Sequence, residues 1–202
     1  MTSEHAAKTP NGDETDPGRY HLGDATVLDR IQESKVRRFT DYWIGLCHGR
    51  RMPARADLDP IDIPWALSRI FVGDYDPTTK DFIYRIAGEE VVEVFRRFNG
   101  RASIRGVRLG DGMPAPSVAA IRRRWDPVGE RGDILYMSGA VYQAADRLGI
   151  GERIVLPLSD DGATVTGFCG YTICRWQDRL EWESSPDVDI WHIPSAAISA
   201  TD

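Results

Sequence analysis

Between residues 28 and 47 the apolar side chains Val36, Phe39, Trp43, Leu46 and Cys47 recur at steps of three and four, the period of an amphipathic helix. Tyr42 widens the stripe, and Gly49, with Arg50 and Arg51 behind it, marks the helix end. Pro53, Pro60 and Pro64 then preclude a continuous helix or central strand, and Asp62 is placed to cap a short helix holding Trp65 and Leu67. Residues 70–75 and 81–86 are β-type runs separated by a DPTTK turn, which predicts a hairpin. After Gly88, the residues Val91, Val94, Phe95 and Phe98 share one face of a helix that Asn99 and Gly100 stop. Val118, Ile121, Trp125 and Val128 repeat the helical step, with Pro127 expected to end or kink that helix near Trp125. Residues 134–143, 152–158 and 163–175 alternate as strands, and Ser159, Asp160, Asp161 and Gly162 read as the hairpin turn between the last two.

The order predicts an α+β fold: five antiparallel strands, helices inserted between strands two and three, and an N-terminal helix packed on the sheet or on a dimer partner. Phe82, Tyr84 and Ile86 fall on one strand face and Ile83 on the other. Both sheet faces are thus partly apolar, as expected if helices 88–98 and 116–125 cover one and the N-terminal helix covers the other. The chain divides into a polar tail, 1–25, expected to be disordered, an amphipathic helix, 26–50, a core, 51–176, and an extension, 177–202. Trp182, Ile190, Trp191 and Ile193 make that extension too apolar for a free tail, so part of it should pack on the domain or on a second copy.

At 202 residues with 42% hydrophobic side chains, the chain suits one globular core. No run reaches the roughly 20 apolar residues of a membrane span, and the polar N-terminus lacks a secretory pattern, so a cytoplasmic location is expected. A formal charge of -6 argues against a nucleic-acid partner. The Arg122, Arg123, Arg124 triplet is expected to be a solvated helix face. Three cysteines, Cys47, Cys169 and Cys174, without CxxC spacing disfavour a disulfide framework or structural zinc.

Asp57, Asp59 and Asp62 lack the spacing of a calcium loop and read as turn and cap residues. Asp160 and Asp161 have the alternatives of a paired acid and base or, more simply, a turn. Arg85, at the centre of a strand, should not be left unpaired. It either bridges to an acid such as Glu89 or Glu90 or meets an anionic ligand. No metal set or catalytic constellation emerges, so no enzyme activity is expected.

Five pieces stand in a fixed order: Tyr42-Trp43; the 52–64 stretch MPARADLDPIDIP; Tyr84-Arg85 followed by Gly88; Asn99-Gly100-Arg101; and Leu156-Pro157-Leu158 before Asp160-Asp161-Gly162. Over residues 35–175 this order resembles the PAS superfamily, in particular an alphaproteobacterial branch of single-domain PAS-like proteins. The resemblance implies a sensor that holds a small ligand between sheet and helices, or that dimerises and signals through a protein partner, and a sheet whose first strand lies between the second and the last. Pocket walls would come from Tyr84, Phe95, Trp125, Tyr136 and Leu156, with Arg85 as the polar contact, unless these residues simply fill the core. A dimer or partner surface would come from Phe39, Trp43 and Leu46. The four histidines, His5, His21, His48 and His192, leave none between residues 49 and 191, against histidine-ligated haem; the cysteines are displaced from the helix that carries them in flavin photosensors. The alternatives are an interaction module with a filled core and a small cone-shaped α+β enzyme.

Overall fold

The N-terminal stripe folds as helix α1 (Ser34–Cys47), burying Val36, Phe39, Thr40, Trp43 and Cys47. The computed structural model describes residues 16, 18–143, 147–178 and 187–199. Helix α1 begins later than the apolar period predicts, because Ala25–Arg30 forms a separate 3-10 turn capped by Asp24. It has no side-chain cap of its own. Instead the backbone N–H groups of Gln32 and Glu33 each donate to the Glu152 carboxylate at 3.0 Å, which sets a negative charge at the positive end of the helix. His48 and Gly49, both at positive φ, end it.

The remaining elements are strands β1 (Gly18–Leu22), β2 (Ile70–Asp76) and β3 (Asp81–Ala87), helices α2 (Glu89–Asn99) and α3 (Ala115–Arg131), strands β4 (Asp133–Gln143), β5 (Arg147–Leu158), β6 (Gly167–Asp178) and β7 (Val188–Pro194), and the short helix α4 (Ala196–Ser199). Their order in the sheet is β1-β7-β4-β5-β6-β2-β3. Five strands, β3-β2-β6-β5-β4, pair antiparallel, and β2 lies between β3 and β6, the placement the resemblance implies. The sheet is larger than the five antiparallel strands expected: it has seven, and β1 joins β7 in parallel.

Both added strands come from the tails. β4 would otherwise expose a row of unpaired N–H and C=O groups; β7 pairs along it from Asp133 to Gly139. Gly139, at φ 112°, is required there, since a Cβ would lie 2.5 Å from the Asp187 carbonyl oxygen. The tail expected to be irregular to residue 25 therefore contributes Gly18–Leu22. Arg19 reaches Asp187 at 2.6 Å and Asp189 at 2.9 Å, and His21 stacks on Trp191 at 4.3 Å. Trp182 lies outside the described residues.

The sheet separates two layers. On one face, α1 covers β5 and β6: Phe39 stacks on Tyr171 at 5.6 Å, and Trp43 donates its indole N–H to the Pro157 carbonyl at 3.0 Å. Phe39 and Trp43 are fully buried there, each contributing about 2 to 3 kcal/mol of burial. On the other face lie α2 and α3. Residues 64–69 are a series of turns rather than the short helix expected around Trp65. Helix α3 continues through Pro127, contrary to the break expected near Trp125. Trp125, Val128 and Gly129 bury one side of it, and His192 donates its Nε2–H to the Arg124 carbonyl at 2.9 Å; packing thus overrides the local preference for a break.

Candidate ligand cavity

Helical and strand periods bring one set of side chains together between the sheet and helices α2 and α3. Val91, Val94 and Phe95 come from the apolar face of α2, and Ser117, Ala120, Ile121, Arg124 and Trp125 from steps of three and four on α3. Phe71 of β2, Tyr84 of β3, Arg153 of β5 and Met113 of the intervening loop close the ring. Strand β4 supplies Val141, Tyr142 and Gln143, consecutive residues that a β-bulge between Ala140 and Tyr142 turns to the same cavity. The space between these side chains is about 220 Å³.

Its wall combines aliphatic side chains with five aromatic ones, Phe71, Tyr84, Phe95, Trp125 and Tyr142. Tyr84 packs edge-on against Phe71 at 6.1 Å, Phe95 at 5.5 Å and Trp125 at 6.3 Å. Burial pushes the Tyr84 phenol well above the usual tyrosine range, so it stays neutral at physiological pH. Three lining residues carry buried nitrogens without a hydrogen-bond acceptor: Arg124 Nε, Trp125 Nε1 and Gln143 Nε2.

The two lining arginines differ in charge balance. Arg124 is ion-paired through Nη2 with Asp16. Burial raises the Asp16 pKa, but hydrogen bonds from Tyr20 and Arg124 outweigh that and hold the carboxyl below its ordinary range. Arg153 is buried, at 8% exposure. Its Nε donates to Thr172 Oγ1 at 2.9 Å and its guanidinium lies 4.2 Å over the Tyr142 ring. Among the described residues, no carboxylate comes within ion-pair distance of it.

Of the expected pocket residues, the structure brings Tyr84, Phe95 and Trp125 to the cavity and excludes the other three. Tyr136 and Leu156 face the α1 layer. Tyr136 donates its hydroxyl to Glu152 at 2.8 Å, and Leu156 is paired with Cys169, two residues from the Tyr171 that packs on Phe39. Side chains alternate along a strand, so Arg153 and Leu156 point to opposite faces. Arg85 is exposed and bridges to Asp74 at 2.5 Å, an acid that also takes Arg55 at 2.6 Å; it meets neither Glu89, Glu90 nor the cavity. The surface assigned to a partner is also corrected: Phe39 and Trp43 are spent on the chain's own sheet, and only Leu46 of that trio keeps partial exposure. Of the arginine triplet only Arg123 is exposed: Arg122 bridges to Asp81, which also binds Arg108 at 2.7 Å, and Arg124 holds Asp16.

The turn residues have plain structural duties. Asp161 accepts from Ala163 N at 2.8 Å, Thr164 N at 2.7 Å and Ser159 Oγ at 2.8 Å, and these bonds hold its carboxyl well below the usual range. Gly162 supplies the positive φ beside it.

A family model described as a PAS domain matches residues 31–171. The chain belongs to the PAS domain family. No curated protein and no solved structure gives a significant match. The match spans α1, β2 to β5, the start of β6 and both cavity helices, so the PAS domain includes the cavity, while β1 and β7 lie outside the matched residues. As a PAS domain, the chain is a sensory or regulatory module in general terms. Among its described residues no helix is long and apolar enough to cross a membrane.

The sequence reading does not single out Arg153, one of the two arginines that line the cavity. The signal was present in its strand. Glu152 and Arg153 precede the run Ile154 to Leu158 in a strand paired on both sides, where both charges must be buried. Arg85 lies instead on the hairpin's outer strand.

Proposed function

We propose that this PAS domain is a ligand-responsive sensory module, taking a small molecule into the cavity between its sheet and helices α2 and α3 and passing occupancy on to a protein partner. The observation that carries the reading is the cavity itself, about 220 Å³ of space walled by aromatic and aliphatic side chains with three buried nitrogens on its lining residues that lack acceptors. A filled interaction core would leave no such space, because native interiors are close-packed. None of the lining residues is an acid, a histidine or a cysteine, so the cavity has the makeup of a binding site rather than of an acid–base catalyst. Asp81 offers a route outward, since it ties β3 to α3 through Arg122 and to the 104–111 loop through Arg108. Three free thiols, Cys47, Cys169 and Cys174, support a reducing, cytoplasmic compartment.

The test is titration with indole, a neutral aromatic probe, followed by calorimetry and thermal unfolding on the wild type and on Ala120→Leu, which fills part of the space. Binding and a raised Tm in the wild type, both weakened in the variant, are expected. A wild type that binds neither indole nor a charged aromatic probe contradicts the reading.

A further inference from the structure

We infer that the ligand is a small aromatic monocarboxylate whose carboxylate meets Arg153. The inference rests on the reading of the cavity as a ligand site and adds the chemical class of what enters it.

Three observations converge. Arg153 is a buried cation lining the cavity, held from behind by Thr172 Oγ1 and from one side by Tyr142, and no carboxylate of the described residues balances it. A buried charge without a partner is costly, and an arginine fixed through Nε leaves its two Nη groups to grip a carboxylate end-on. The charge count then sets the valence. Arg124, the other cation in the wall, is neutralised by Asp16, so among the described residues the lining has one positive charge without a carboxylate partner and suits a monoanion better than a dianionic phosphate. Trp125 Nε1 and Gln143 Nε2, buried without acceptors, are further donors on residues of the same wall.

Size and wall chemistry describe the rest of the molecule. A dry cavity of about 150 Å³ takes up benzene, so about 220 Å³ accommodates one ring with a short acidic arm. Tyr84 already contacts Phe71, Phe95 and Trp125 edge-on, and Phe71 meets Trp125 at a tilt; edge-on contact is a geometry in which a further ring packs well.

The test compares phenylacetate with its neutral isostere phenylacetamide by isothermal titration calorimetry at pH 7.5, with indole as the neutral reference. Phenylacetate is expected to bind the wild type about tenfold or more tightly than the amide, the effect of a charge-assisted hydrogen bond. Arg153→Met, which keeps the side-chain bulk, is expected to erase that preference while still binding indole, showing that its cavity remains folded. Equal binding of acid and amide, tighter binding of the amide, or a preference that survives in Arg153→Met overturns the anionic head and leaves the cavity reading intact. Indole binding without either phenyl compound does the same. Failure of all three probes overturns both.

Discussion

Glu152 and Arg153 are consecutive on β5 and serve opposite layers of the molecule. Glu152 accepts from the Gln32 and Glu33 amides and from the Tyr136 hydroxyl on the α1 side, while Arg153 lines the cavity on the other. Each is buried, at 4% and 8% exposure. One central strand therefore connects the start of α1 to the proposed ligand head.

Glu152→Gln exchanges one acceptor oxygen for a donor that confronts N–H groups. The expected cost is about 1 to 3 kcal/mol in urea unfolding, the range for disrupting a buried, charge-assisted bond. Hydrogen exchange at the Gln32 and Glu33 amides should quicken in the same variant. Tyr136→Phe should cost about 1 kcal/mol, and the double variant less than the sum, because the residues share one interaction. Strict additivity would separate Tyr136 from the Glu152 anchor.

His192 carries a pH dependence. Burial pushes its pKa below the ordinary 6.5, and its Nε2–H donates to the Arg124 carbonyl at the cavity helix. As pH falls below 6.5, the unfolded chain takes up a proton that the folded chain resists. Stability from this group is thus complete above that pH and declines through the window beneath it. Thermal unfolding between pH 7.5 and 5.5 should show a steeper acid-side loss for the wild type than for His192→Gln. Parallel profiles would remove His192 as the source.

Arg85→Ala should change stability by no more than about 0.5 kcal/mol, since the pair with Asp74 is solvent-exposed and Arg55 still occupies that acid. Indole and phenylacetate affinities should be unaltered. A lost affinity would place Arg85 in the ligand site after all.

Trp43→Ala should destabilise the protein by about 3 to 5 kcal/mol, the cost of removing a large buried side chain, as read by denaturant unfolding. Its hydrogen bond to the Pro157 carbonyl goes with it. A variant of wild-type stability that instead alters oligomeric state by light scattering would return the stripe to a partner interface.

The helix faces of the cavity were legible in sequence because period alone defines them: Val91, Val94 and Phe95 are one stripe, and Ile121 and Trp125 another. The phase of the strands was not. Ile154 to Leu158 is apolar on both sides, so alternation does not say which residue faces which layer, and Tyr136 and Leu156 were placed one face off. Arg153 is hidden by the same ambiguity, whereas Arg85, the conspicuous charge at the centre of a strand flanked by Tyr84 and Ile86, takes the polar role. The pairing of β1 with β7 joins the two ends of the chain and leaves no local pattern to read. Pro127 predicts a helix end or kink near Trp125 from local preference alone, whereas α3 runs on to Arg131 with Trp125 and Val128 buried.

The most direct test is a ¹H–¹⁵N correlation spectrum of the full chain titrated with indole. The largest shifts are expected at the Trp125 indole N–H, the Gln143 side-chain amide and the backbone amides of Val91, Ala120 and Val141, with Arg85 unmoved. Cavity signals that stay fixed at millimolar indole, or shifts confined to the Arg85 side of the molecule, would contradict the account.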